Sequence, residues 1–255
     1  SLALGGAGST GNTMIVTDHS GLDLGGGAMG VGNTAGAASN RLTVDASFVT
    51  NVNVLTISGA GGSSNHNAVV LTNAATFSGS GLFNVGTIAS ADQNSLDIVG
   101  GSSVTNRGLA LGSAAGADSN IVRLLGGMDS SLWICAGALG VGQAANSNNV
   151  VLIDGQNEAG SAVMTNVTTI TIGAASAVSN GIRVVNGGRL YASGVVNIGG
   201  VVGSTNQYLI LDNAYAQFLS TFTLNGQQTY VAVSANALIE GSAGVLNVGG
   251  VAGSK

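Results

Sequence analysis

The chain has 255 residues with 43 Gly, no Pro, 4% aromatic and 7% charged residues, and a formal charge of −5, against a usual charged fraction of roughly 25%. Its Val, Ile and Leu content excludes a disordered chain, and Gly without a three-residue period in the absence of Pro excludes collagen. One Lys, at the last residue, and five scattered Arg leave no basic patch for phosphate backbones, so nucleic acid is excluded as a partner.

A transmembrane helix is not expected, because the longest apolar run, Leu132 to Gly142, is about half of a ~20-residue span. The few scattered aromatics cannot supply the girdles of an outer-membrane barrel. The single Cys135 forms no internal disulfide and reads as a small buried hydrophobe. There is no signal peptide and no initial Met, so the expectation is a mature chain or an excerpt of a longer one.

Taken in chain order, the sequence repeats itself. Asn12, Asn40, Asn67, Asn94, Asn120, Asn148, Asn180 and Asn206 recur at about 27 residues, each followed at +2 and +4 by mostly large apolar residues such as Met14/Val16, Leu42/Val44, Val150/Leu152 and Tyr208/Ile210. That alternation predicts an opening strand. A turn former then closes it, among them Asp18, Asn73, Gly100, Asp154, Asn186 and Asp212, with Asp45 one place early. Further on, a second alternating phrase ends on Gly: "LALG", "MGVG", "FNVG", "LALG", "LGVG", "ITIG", "VNIG" and "LNVG", with "LTISG" and "FTLNG" carrying one residue more. These predict closing strands ending at Gly5, Gly32, Gly59, Gly86, Gly112, Gly142, Gly173, Gly199, Gly226 and Gly249.

A unit of this length with two or three short strands, Gly/Asn/Ser corners and no helical period is one coil of a solenoid. The fold class is therefore all-β: a right-handed parallel β-helix, or β-solenoid, of about nine coils of roughly 27 residues, one domain over 1–255, some 40–45 Å long at about 4.8 Å per coil. The Asn series is expected to form a ladder of side-chain amides from coil to coil. Both ends read as ordinary closing strands rather than caps, so the expectation is a segment of a longer fibre or a protomer docking head to tail.

Two outer surfaces carry expectations. The residue between the paired apolar positions of each closing strand is small and uncharged: Ala3, Gly30, Thr56, Asn84, Ala110, Gly140, Thr171, Asn197, Thr223 and Asn247. This predicts a flat lateral face. The outward position of the opening strand carries Ile15, Val70, Val151 and Leu209 among Thr43, Asp97, Arg123 and Arg183, aliphatic groups that call for a lateral neighbour.

The search for chemistry is less productive. "GAGSTG" (Gly6 to Gly11) matches a dinucleotide fingerprint but precedes a strand phrase, so no helix N-terminus receives a pyrophosphate. His19 and His66 lie in corner segments, and no H-x-x-x-H, C-x-x-C or G-x-S-x-G occurs. The densest acidic cluster, Asp129, Asp154 and Glu158, has only Arg123 as a cation, short of what a polysaccharide lyase or glycosidase needs. "GLDLGGGAM" departs from the calcium nonapeptide, and "NVT" at Asn166 reads as a chance sequon. No cofactor, metal or catalytic residue is expected.

The phrases "SNRLTVDASF", "SNGIRVVNGGRLYASGVVNIGG" and "QNSLDIVGGSSV" resemble the repeats of large bacterial cell-surface β-solenoids, the autotransporter passenger and filamentous adhesin-like proteins. The resemblance covers nearly the whole chain and implies an extracellular or cell-surface location and a structural or adhesive role. It brings no catalytic residue, and no translocator domain lies in the sequence. The expected partners are copies of the chain or further coils, end to end and laterally. Surface glycans are the alternative, with Tyr191, Tyr215 and Tyr230 as contacts and Tyr208 pointing inward.

Overall fold

The computed structural model describes residues 1–59, 63–174, 176–200, 203–241 and 244–249. Among these there is no helix, and so none long and apolar enough to cross a membrane. The strands form a β-solenoid of about nine turns, successive coils lying about 27 residues apart.

The opening strands stack as one nine-stranded parallel sheet: Thr13–Val16, Arg41–Asp45, Ala68–Thr72, Ser95–Ile98, Ile121–Leu125, Val150–Asp154, Gly181–Val185, Tyr208–Asp212 and Tyr230–Ser234. The middle and closing strands share a 17-stranded sheet. In two coils they fuse, as Ser103–Leu111 and Ser131–Val141, and the longest apolar run of the sequence is the second of these. A register shift between Asn106 and Gly108 bends this pair without breaking it.

Alternation decides which side chains enter the core. In Arg41–Asp45, Leu42 and Val44 are buried while Arg41, Thr43 and Asp45 face out. Because each inward residue meets its counterpart in the coil above and below, burial is complete along the middle of the rod: Leu55, Ile57, Val85, Leu96, Ile98 and Val141 are all at 0% exposure. The largest fully buried side chains among the described residues are Trp133, Phe77 and Phe83. The two phenyl rings meet edge to face at 5.2 Å, and Phe83 lies 6.5 Å from the indole. The buried Trp133 Nε1 donates to Asn106 Oδ1 at 2.8 Å, and Asn106 Nδ2 donates to Gly108 O at 2.7 Å, so the indole carries no unsatisfied donor.

Two opening strands lie one residue out of the expected register. Val151 and Ile153, and Leu209 and Leu211, are buried, while Val150, Leu152, Tyr208 and Ile210 are the outward set. Both strands are nearly continuous apolar runs, "VVLID" and "YLILD", in which alternation cannot choose a face, and a one-residue slip exchanges the faces entirely. Val151 and Leu209 thus belong to the core and not to the aliphatic outer row, and Tyr208 is not inward.

Candidate functional site

The corner that leads into each opening strand is the most ordered polar feature of the molecule. Asn12, Asn40, Asn67, Asn94, Asn120, Asn149, Asn180 and Gln207 form a column in which the backbone N of each donates to the side-chain oxygen of the next. Up to Asn149 the Nδ2 donates to that same oxygen, at 2.7–3.3 Å. From Asn40 to Gln207 every member is fully buried. The return bond runs the other way, as when Arg41 N donates to Asn12 O at 2.8 Å, so neighbouring coils are clasped reciprocally.

The column passes through Asn149 and Gln207 rather than Asn148 and Asn206. The residue just before the ladder position is left-handed in every coil: Gly11, Ser39, His66, Gln93, Ser119, Asn148, Ser179 and Asn206 have φ between 55 and 71°. Asn tolerates that conformation well, so Asn148 and Asn206 are corner residues, and Asn148 is exposed. Gln228, with φ 53°, marks Thr229 as the next position in the column. The same rule accounts for His66 without chemistry.

The closing glycines exist because of this column. A Cβ on Gly32, Gly86, Gly112 or Gly142 would lie 2.1–2.3 Å from the amide of Asn67, Asn120, Asn149 or Asn180, and each has positive φ. The two phrases with an extra residue obey it differently from expectation. Ser58 and Asn225, not Gly59 and Gly226, sit at the closing position, since Ser58 N donates to Val31 O and Asn225 N to Ile198 O as the glycines do in their coils. At Ser58 the hydroxyl joins the ladder: it accepts from Asn67 Nδ2 at 3.0 Å and donates to Asn94 Oδ1 at 3.0 Å.

Most of the acidic residues are likewise occupied between coils. Asp118 N donates to Asp92 Oδ1 at 2.8 Å and Ser147 N to Asp118 Oδ1 at 2.6 Å. Asp45 Oδ1 accepts from Asn73 Nδ2 at 2.7 Å, and Asp154 Oδ1 from Asn186 Nδ2 at 3.0 Å and Gln156 N at 2.8 Å. Asp23 Oδ1 accepts from Gly25 N and Asn51 Nδ2, and these bonds hold its carboxyl below the usual carboxylate range. Arg123, the cation expected beside Asp129, Asp154 and Glu158, pairs with Asp97 at 2.6 Å instead. Among the described residues no three His, Cys, Asp or Glu side chains gather as a metal site. Cys135 is buried, and desolvation pushes its thiol up to about 12.

The closing-strand row Ala3, Gly30, Thr56, Asn84, Ala110, Gly140, Thr171, Asn197, Thr223 and Asn247 is in register from first to last. It does not form the open flat face predicted. Gly30, Ala110 and Gly140 are buried and Thr56, Asn84, Thr171, Asn197 and Thr223 half-buried; at Gly30 and Gly140 a side chain three residues on covers the strand. A Cβ on Gly140 would meet the Gln143 amide at 2.3 Å, and one on Gly30 the Asn33 side chain at 2.8 Å.

The tyrosines separate into two pairs on different sheets. Tyr208 and Tyr230 stack at 6.0 Å on the opening-strand sheet, with the Tyr208 ring lying over Gly181. Tyr191 and Tyr215 meet at 5.6 Å on the middle strands. Tyr230 therefore does not line up with Tyr191 and Tyr215, and the expected three-ring set is a two-ring set. Around that pair stand Arg189, Gln217 and Glu240, neighbours by strand register. The Tyr215 hydroxyl donates to Glu240 Oε2, and this bond raises its pKa to about 12. Gln217 Nε2 reaches the same oxygen at 3.4 Å.

Compared with protein-family models, with curated proteins and with solved structures, the chain matches none.

Proposed function

We propose that this chain is a structural segment of an extracellular bacterial fibre, stalk or surface layer, built by stacking of solenoid coils and lateral packing of rods. The observation that carries this reading is the amide column, together with the carboxylates engaged beside it. Polar groups that could do chemistry are used to hold one coil to the next, and the opening-strand row keeps one parallel register from Thr13–Val16 to Tyr230–Ser234. The low charge supports lateral association, since a solitary soluble rod ordinarily carries about 25–35% charged surface. Further support comes from the repeat phrases that resemble cell-surface solenoids.

Sedimentation velocity and electron microscopy over a concentration series test the proposal. Rods that associate side by side or end to end are the expected result; a stable, non-associating monomer at high concentration sinks it. A second reading, an adhesin that binds glycan on a strand face, is favoured by the Tyr191–Tyr215 pair.

A further inference from the structure

On the outward side of the middle strands, the coils just before present small or aliphatic residues, Thr105, Leu132, Ile134, Val163 and Thr165 in neighbouring positions, and the one outward aromatic among the described residues of the earlier strands of this row, Phe48, stands alone. Over three successive coils this changes. Arg189 and Tyr191 stand on one strand, Tyr215 and Gln217 on the next and Leu238 and Glu240 on the third, in register. The two rings are tilted by 50° at 5.6 Å between centroids, so together they offer a broken aromatic floor and not a closed stack.

Beside that floor runs a depression of about 360 Å³ whose lining includes Thr165, Asn166, Tyr191, Ser193, Gln217 and Leu219. A second one lies against Arg189, Tyr191 and Tyr215. The polar groups are already oriented. Tyr215 Oη and Gln217 Nε2 both address Glu240 Oε2, which leaves Glu240 Oε1 as an acceptor, with the exposed Arg189 guanidinium as a donor. Groups fixed before a ligand arrives lose less entropy on binding.

We infer that the Arg189–Tyr191–Tyr215–Gln217–Glu240 patch is a binding site for a neutral hexopyranose glycan. The C–H face of a pyranose ring packs on a tyrosine ring, while its hydroxyls, each both donor and acceptor, take Arg189 and Glu240 together. The charges on the patch balance, which suits an uncharged ligand better than a uronate or a phosphate. Tyr191 and Tyr215 lie on adjacent strands two register positions apart, with Arg189 beside Tyr215 and Gln217 beside Tyr191, so the two rings, 5.6 Å between centroids, form a diagonal platform that a glycan crosses obliquely to the rod axis. This inference deepens the adhesin reading and is independent of fibre assembly.

The test is a printed array of neutral hexose and N-acetylhexosamine oligomers, followed by calorimetric titration of the strongest ligand. Tyr191→Ala and Tyr215→Ala are expected to weaken binding at least tenfold, while Tyr208→Ala, on the other sheet, leaves it unchanged. Glu240→Gln, which alters no volume, is expected to weaken it several-fold and serves if a Tyr variant folds poorly. The inference is overturned if no neutral oligomer binds, if the patch retains a protein but no glycan, or if binding survives these patch variants. Sedimentation of the same samples reports separately on assembly.

Discussion

The phrases "FNVG" at Phe83 and "LNVG" at Leu246 are nearly the same four residues in the same parallel register, yet they live in opposite environments. Phe83 and Val85 are at 0% exposure; Leu246 and Val248 stand at 68% and 69%. Around the second phrase, Phe222, Leu224, Val231 and Ile239 line an apolar cleft of about 350 Å³ with Val245, Leu246 and Val248. The difference lies in the neighbours: Phe83–Val85 pairs with a strand on each side, whereas among the described residues Leu246–Val248 pairs with Phe222–Leu224 alone. In this fold burial is not a property of a coil but of a pair of coils.

The sharpest way to break that comparison is to truncate the matching residues. Phe83→Ala removes a ring packed on Phe77 and Trp133 and is expected to cost about 3–5 kcal/mol in urea unfolding. Leu246→Ala is expected to stay within about 1 kcal/mol. Equal losses at the two sites would show that the last described coil is packed like the rest.

The ladder gives the next largest contrast. Asn94→Ala strands the buried Asn67 N, removes the bonds of Asn94 Nδ2 to Ser64 O and Asn120 Oδ1, and is expected to cost about 3 kcal/mol. Asn12, exposed and with a neighbour on one side only, is expected to lose about 1 kcal/mol when changed to Ala. The glycines follow. Gly142→Ala meets both a positive φ of 64° and the Asn180 amide at 2.2 Å, and is expected to lower stability by about 2–3 kcal/mol. Gly11→Ala meets only its φ of 71° in open space, for about 1 kcal/mol.

The smallest effect concerns the last coil's own hold on its neighbour. Tyr215 is raised to about 12 from an ordinary 10.0, first of all by its bond to Glu240. The folded state therefore favours the neutral phenol. The contribution is fully present below pH 10 and is lost as pH rises through 12. Ultraviolet titration of Glu240→Gln is expected to bring the Tyr215 transition back down toward the ordinary value. An unchanged transition would mean that the last coil does not hold this contact.

How much of this was legible in the sequence differs from residue to residue for physical reasons. The period, the strand phrases and the uncharged closing row could be read because stacking forces the same chemistry to recur at the same phase. The ladder could be read wherever one Asn preceded an alternating strand. It was misread at Asn148 and Asn206 because the left-handed corner before the ladder also favours Asn, and because "VVLID" and "YLILD" do not alternate. The placement of Val151, Leu209 and Tyr208 went wrong with it.

Ser58 was hidden for a different reason. Nothing local tells a serine that completes an amide column from one that interrupts a closing phrase; the answer lies in Asn67 and Asn94, in two other coils. The covering of the closing row by Asn33 and Gln143, and the division of the tyrosines between two sheets, likewise depend on where loops fold in space. At Asn148–Asn149 and Asn206–Gln207 the deciding fact is which residue takes the left-handed corner and which the buried rung, and both residue types suit either place.

The one-way donation along the amide column gives the rod a sense of travel. Each coil offers a backbone donor to the coil that follows and a side-chain oxygen to the coil that precedes, so a further coil continues the column in one sense only. That polarity is carried in the interior by the asparagines, and the rod's two ends are chemically unlike.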